Sequence, residues 1–450
     1  MKRFPVSAFI CCASIFIFSI ILISCDPISL KTTIDNMILG WTRAVILTSP
    51  VNEGGVSEKT PFLDWEDAGG ATGYQVQISE TESFDGVTAI DIDEAVSEYE
   101  IPNDLTICDT RYWRVRAVKD GVASDVWSET WSFEIVPSSA PMVVGTFETR
   151  DVYPDASLWN VSVSGFYAYV PIEAPGLIVI DFSEPASPTQ IGFYQHSSGK
   201  GVYHSDIAGN YVYCAETGGS PCYLRVLDVS DPSNPVLAGS SETELPSSSC
   251  TVATNGGVTM IGSGNNLNYY STHNLSSITL KHTEPLGGNT WKPEIVGANC
   301  YIIVEGEGFS IYGTYTTGLL GSYSILGIEN EFSGVTGSGN YAYISVGGSE
   351  GILILDCTNP GSPVHLGSYA HPDYTFLGAL EASGHYLYSA ASHGTENGVA
   401  VIDITNPSAL ELLGFVGFEG GGWFEVSGNY IVCPDYHSGR VYIIDLLPGG

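Results

Sequence analysis

The side chains best suited to chemistry are imidazoles beside carboxylates, and aromatic rings in variable segments. His196, His204, His371, His393 and His437 lie near expected loops or strand ends, with Asp206, Asp373 and Asp435 close to members of that set. Gathered on one rim, such groups would bind a metal ion or exchange protons as general acid and base. The competing reading is ordinary turn residues at different depths, and it is the one adopted: no catalytic residue, metal ligand or cofactor is assigned. No Gly-x-Ser-x-Gly elbow, phosphate-binding loop or His-Glu-x-x-His is present. There is likewise no calcium-binding EF-hand loop, and no Cys-x-x-Cys to begin a zinc site. The aromatic material suggests binding instead. Trp159, His204, Tyr269, Tyr270, His273, Trp291, His393, Trp423 and His437 form the candidate binding surface, suited to a sugar ring or a protein partner. For the residues between 269 and 291 the alternative is local core repair.

These residues need a scaffold, and the sequence expects strands. Glycine (52 residues) and tyrosine (26) are abundant, and the apolar share of 44% suffices for a core. From residue 141 a unit of glycine, a turn residue and an alternating Tyr-x-Tyr strand recurs. It reads Gly165-Phe-Tyr-Ala-Tyr, Gly209-Asn-Tyr-Val-Tyr, Gly339-Asn-Tyr-Ala-Tyr and Gly384-His-Tyr-Leu-Tyr, with the variant Gly428-Asn-Tyr-Ile-Val. Degenerate copies begin at Gly257 and Gly297, which makes seven units. In most units an apolar strand then ends in aspartate, followed by a proline turn and a further strand. Asp181, Asp228, Asp356, Asp403 and Asp445 are read as structural, accepting backbone hydrogen bonds in that turn.

Several strands per period of 40 to 50 residues suggest propeller blades. The array opens with a lone strand at Pro141–Phe147 and ends at Val441–Asp445 one strand short, so the opening strand is expected to complete the last blade. The units resemble the LVIVD repeat family over residues 141–447, strongly in units one, two, five, six and seven and poorly between 256 and 335. The resemblance implies a seven-bladed β-propeller at a bacterial or archaeal surface and no settled activity.

Residues 46–136 alternate apolar and polar residues in short runs. Tyr74, Val76 and Ile78 share one face, and Trp113, Val115 and Ala117 are expected to form a layer facing them. The Trp65 strand, Gly-Ala-Thr-Gly-Tyr-Gln-Val-Gln-Ile, Tyr-Trp-Arg-Val-Arg-Ala and the Trp127-Ser-Glu turn resemble a fibronectin type III domain, which implies a spacer or docking role. Arg114 and Arg116 read as the solvated face of their strand, with a recognition stripe as the alternative. Residues 137–141 are read as a linker and 25–45 as a lead-in segment. The expected fold class is therefore all-β, a seven-bladed β-propeller preceded by a fibronectin type III-like β-sandwich.

At the amino terminus, Lys2 and Arg3 precede an apolar run over residues 6–23. Leu22-Ile23-Ser24-Cys25 then resembles the lipobox of bacterial lipoproteins, which implies a signal peptide over 1–24 and a lipid-modified Cys25 anchoring the chain to the membrane; the alternative is an uncleaved membrane anchor. Either places the bulk of the chain in the bacterial cell envelope, periplasmic or at the cell surface. Cys214 and Cys222 flank a turn-like stretch and are a candidate disulfide, or else two independent buried thiols. A formal charge of −35 disfavours nucleic acid and favours cationic partners. The function expected is a membrane-anchored binding or scaffold protein that recognises a protein or glycan. The alternatives are a hydrolase or lyase acting on a carbohydrate or lactone-like substrate, and a passive envelope component.

Overall fold

The computed structural model describes residues 42–92, 96–154, 157–172, 176–196, 200–217, 222–241, 244–245, 250–325, 332–346, 350–419 and 421–448. The signal peptide expected over 1–24, Cys25 and the lead-in as far as residue 41 lie outside them. The described residues are all-β, apart from a short 3-10 turn at Leu275–Ser277. None of their helices is long and apolar enough to cross a membrane. They divide into two units, the first ending at Val136 and the second beginning at Pro137.

In the first unit Leu47–Ser49, Phe62–Trp65 and Glu98–Glu100 form one sheet. Gly54–Val56, Trp131–Ile135, Thr110–Lys119, Gly73–Ser79 and Ile90–Ile92 follow one another across a second, and Val122–Ala123 pairs with Thr110–Lys119. The expected facing of Tyr74, Val76 and Ile78 against Trp113, Val115 and Ala117 is corrected here. Tyr74 pairs with Ala117, Val76 with Val115 and Ile78 with Trp113, so the two sets are cross-strand neighbours in one layer. Both strands offer the same alternation, and alternation does not say which strand lies beside which. The opposite layer supplies Leu63 and Trp65, and the Trp65 ring meets Tyr74 edge-on with centroids 5.2 Å apart. Arg114 and Arg116 stack on Trp127 at 4.8 and 4.5 Å, and bond Gln77 and Gln75 respectively. They are half-buried cladding of that sheet.

The second unit holds seven four-stranded antiparallel sheets among the described residues. Six are built from consecutive strands. The seventh joins Glu425–Ser427, Tyr430–Pro434 and Arg440–Asp445 to Met142–Glu148 from the start of the unit, with Phe147 opposite Val441. The first strands of the sheets are Ser162–Ser164, Gly201–Ala208, Cys250–Thr254, Glu294–Val296, Phe332–Ser338, Tyr374–Ser383 and Glu425–Ser427. Each contacts the first strand of the next sheet, and the seventh contacts the first. The core lies between sheets, because alternating side chains leave both faces of each sheet apolar. Val432, Val441 and Ile443 of the seventh sheet pack with Ala168, Val170 and Ile178 of the first in one such cluster.

Two kinds of glycine shape the repeat. Gly165, Gly209, Gly339, Gly384 and Gly428 turn the chain between first and second strands with φ between 56° and 60°, a left-handed conformation that other residues adopt at a cost. In the third unit the turn was expected at Gly257, but the left-handed residue is Gly256 (φ 86°), because the Asn255 side chain accepts from the amides of both Gly257 and Val258 and shapes the turn one residue earlier. Glycines in several fourth strands lie under a backbone carbonyl of the adjoining sheet. A Cβ at Gly145, Gly192 or Gly321 would collide with the carbonyl oxygen of Pro185, Pro232 or Pro360.

Candidate ligand-binding site

The first strands carry the site. Trp159 precedes the first of them, Tyr203 lies on the second, Trp291 precedes the fourth, Leu377 lies on the sixth and Trp423 precedes the seventh. All five line one cavity of about 310 Å³. Its framework joins residues remote in the chain and adjacent in space: the Trp423 amide donates to the Trp159 carbonyl at 2.9 Å. The Trp159 ring lies 4.0 Å from Tyr436 and 6.3 Å from Tyr203, centroid to centroid. Trp291 remains 44% exposed. The lining is aromatic and small-residue surface, and Asn397 is its one carboxamide among the described residues.

One to four residues further along the chain the chemistry changes. Tyr203 leads to His204 and Asp206, Trp291 to Lys292 and Glu294, Leu377 to Glu381, and Trp423 to Glu425. At about 3.3 Å per residue, this places a charged layer directly beneath the aromatic one. Lys292 Nζ lies 3.4 Å from Glu425 Oε1 and 4.0 Å from Glu294 Oε2. Burial alone would disfavour its ammonium, but Glu425, Glu294, Glu381 and Asp206 together outweigh that and raise its pKa. Burial pushes Asp206 up to about 6, and Glu425 pushes the same way. Burial also pushes Glu294 up to about 7 against the pull of Lys292. Glu381 rises well above the usual carboxylate range by burial, with Glu425 and Glu294 adding repulsion.

Asp206 also binds the third sheet to the second, accepting from the Thr254 amide at 2.7 Å. His204 is inaccessible to solvent, with Nδ1 facing the Val252 amide at 3.4 Å, and its Nε2 has no hydrogen-bond partner. Burial, then the Lys292 charge, holds its pKa well below the usual histidine value, so the ring is neutral. Its centroid is 5.4 Å from Trp423.

The remaining expected residues are dispersed. His437 is exposed and lines a neighbouring opening with Asp435 and Glu419. His393 stacks on Tyr374 at 4.8 Å, and His371 meets the same ring at 4.9 Å, while its Nδ1 accepts from the Asp373 amide. His196 bonds the buried Glu216, which also takes Arg225 at 2.6 Å. The rim of histidine and aspartate, weighed as the alternative to ordinary turn residues, does not form one cluster, and no group able to hold a metal ion occurs among the described residues. Tyr269 and Tyr270 are corrected from surface to core: consecutive on one strand, they point to opposite faces of the third sheet and are 1% exposed. His273 packs against Gly257, apart from the cavity.

No disulfide links Cys214 to Cys222. Cys214 packs between the first and second sheets and Cys222 between the second and third, on opposite faces of the sheet that separates them. Asp181, Asp228, Asp356, Asp403 and Asp445 each accept from the amide two residues on, at 2.7 to 2.9 Å. Sequence reasoning missed Tyr203, Lys292, Glu294, Glu381 and Glu425. The available signal was a charge on a short apolar first strand, as in Leu380-Glu381-Ala382 and Phe424-Glu425-Val426.

Among solved structures, the computationally designed Ika8 protein is 12% identical with a TM-score of 0.46, over 68% of this chain and all (100%) of that one. BamB from Moraxella catarrhalis is 12% identical with a TM-score of 0.41, over 64% of this chain and 82% of that one. A protein from Lactobacillus plantarum is 14% identical with a TM-score of 0.47, over 64% and 94%. No curated protein matches the chain. The family described as LVIVD repeat matches residues 156–196, 205–243, 333–371 and 379–417, which are units one, two, five and six. Unit seven, expected among the strong copies, is not matched; its fourth strand comes from the opposite end of the array, so no continuous segment holds all four strands. Over the four matched stretches the chain carries LVIVD repeats.

Proposed function

We propose that this protein is a lipid-anchored, extracytoplasmic binding module in which a seven-bladed β-propeller, carried on a fibronectin type III-like domain, recognises a protein- or glycan-borne group at its aromatic mouth. The observation that carries this reading is the convergence of Trp159, Trp291 and Trp423, from three different sheets, on one cavity. Concave aromatic sites with few polar groups are the usual form of a recognition pocket. The cyclic contacts of the first strands and the shared seventh sheet support the propeller. The pairing of two sheets in the first unit supports the spacer, and the lipobox-like stretch supports the anchor.

The test is partner capture by crosslinking on intact cells, with the full chain and its Trp291→Ala variant. Trp291 is exposed, so the variant is expected to fold. Capture that depends on Trp291 supports the mouth; equal capture by both chains overturns it.

A second reading, carbohydrate hydrolysis, draws on the carboxylates beneath the mouth, since perturbed acids gather at active sites. Glu425 and Glu294 are engaged by Lys292 and stand below the cavity, whereas a general acid must reach the substrate. Turnover of a glycoside by the full chain, abolished in Glu294→Gln, would establish this second reading.

A further inference from the structure

The geometry points to an alkylated ammonium group as the chemical group that the aromatic mouth receives. This rests on the mouth being the recognition site, and it specifies what is recognised there. Aromatic faces attract cations through their ring quadrupole, most strongly for tryptophan and where water is excluded. Here tryptophans from three sheets, joined by Tyr203, surround a cavity of about 310 Å³. A trimethylammonium head is small enough to enter such a space, and it carries no N–H needing an acceptor in the walls.

The layer below gives the sign of the charge. Asp206, Glu294, Glu381 and Glu425 set four carboxyl groups against the single described ammonium of Lys292; burial holds three of them toward the protonated form, a cation above would favour their ionisation, and the side chains of Lys292 and Glu425 remain 16% and 22% exposed. An anionic ligand would meet that field unfavourably. A neutral sugar needs several side chains to answer its hydroxyls, and Asn397 is the one carboxamide in the described lining. His204 adds no positive charge. It is wholly buried against Trp423, at the junction of the two layers, with Nε2 unpartnered. A neutral imidazole there tolerates a nearby cation that a protonated one would repel. The chain's formal charge of −35 also draws cations toward the surface.

The experiment is titration calorimetry of the full chain with tetramethylammonium, with choline, and with the neutral tert-butyl analogue of choline in which carbon replaces nitrogen. Both ammonium probes are expected to bind, and the neutral analogue to bind about tenfold more weakly. Glu425→Gln is expected to weaken the ammonium probes and leave the neutral analogue unchanged. A trimethyllysine peptide and a choline-substituted oligosaccharide, compared with free choline, distinguish a protein-borne, a glycan-borne and a free source. Equal binding of the neutral analogue overturns the cation proposal and leaves an apolar recognition mouth. Failure of both ammonium probes overturns it too; if Trp291-dependent capture persists, recognition at the mouth survives. Because the probe comparison uses the native chain, it stands even if a variant misfolds.

Discussion

Gly145, in the strand that opens the second unit, lies directly under the backbone carbonyl of Pro185, in the turn between the third and fourth strands of the first repeat sheet. A side chain there would drive the two sheets apart at the seam where the array meets itself. Gly145→Ala is expected to cost about 1–3 kcal/mol, the usual range for overpacking. Gly367, at the corresponding position of the fifth sheet, has open space where a Cβ would stand, and Gly367→Ala is expected to be close to neutral. Thermal unfolding of the two variants checks the contrast.

Glu216 is completely buried and holds together His196, Arg225 and the Tyr223 amide. Removing one partner of such a group leaves buried charge uncompensated. Glu216→Ala is expected to lose about 3–5 kcal/mol in denaturant unfolding, and Glu216→Gln less, since the amide oxygen still accepts from Arg225.

The charged layer has a pH signature. Asp206, Glu294 and Glu381 have folded pKa values above their unfolded ones. Their contribution is fully present below the ordinary carboxylate value near 4 and is lost as pH rises through about 6 and about 7. His204, two residues before Asp206 on the same strand, works oppositely, with stability lost as pH falls through its unfolded value near 6.5. Glu425 and Lys292 are the other charged groups of the layer. The melting temperature is expected to fall between pH 5 and pH 8 (about that window), and less steeply in Glu294→Gln. An unchanged slope in that variant would remove Glu294 from the account.

Burial pushes the thiols of Cys433 and Cys357 up to about 12 and about 11, and the Cys214 thiol higher still. With no disulfide among the described cysteines, reducing agent is expected to leave the melting temperature unchanged. Alkylation of these thiols should be slow until the chain unfolds. A reductant-dependent melting temperature would show a bridge.

The repeat was legible because its two determinants are local. The turn glycines and the strand-ending aspartates recur at fixed offsets, and each acts within a few residues of itself, as Asp403 does on the Thr405 amide. Lateral order was not legible in the first unit, where Tyr74 and Ala117 are partners across a gap that periodicity does not measure. The mouth was partly legible. Trp159 and Trp423 stand before corresponding strands, and they meet. Lys292 and Glu425 were not legible together, being 133 positions apart and related only through the curvature of the array.

The strand Met142–Glu148 has a consequence for the order in which the molecule can be made. Its partner strand Arg440–Asp445 emerges after every other described strand of the array, and the pair Glu148 and Arg440 is separated by 292 positions. Throughout synthesis this first strand has no lateral partner, and every intermediate length presents an unpaired edge at each end. Such remote pairing is slow to form. Loss of the six-residue strand Arg440–Asp445 would leave Met142–Glu148 without its partner, an exposed edge open to association.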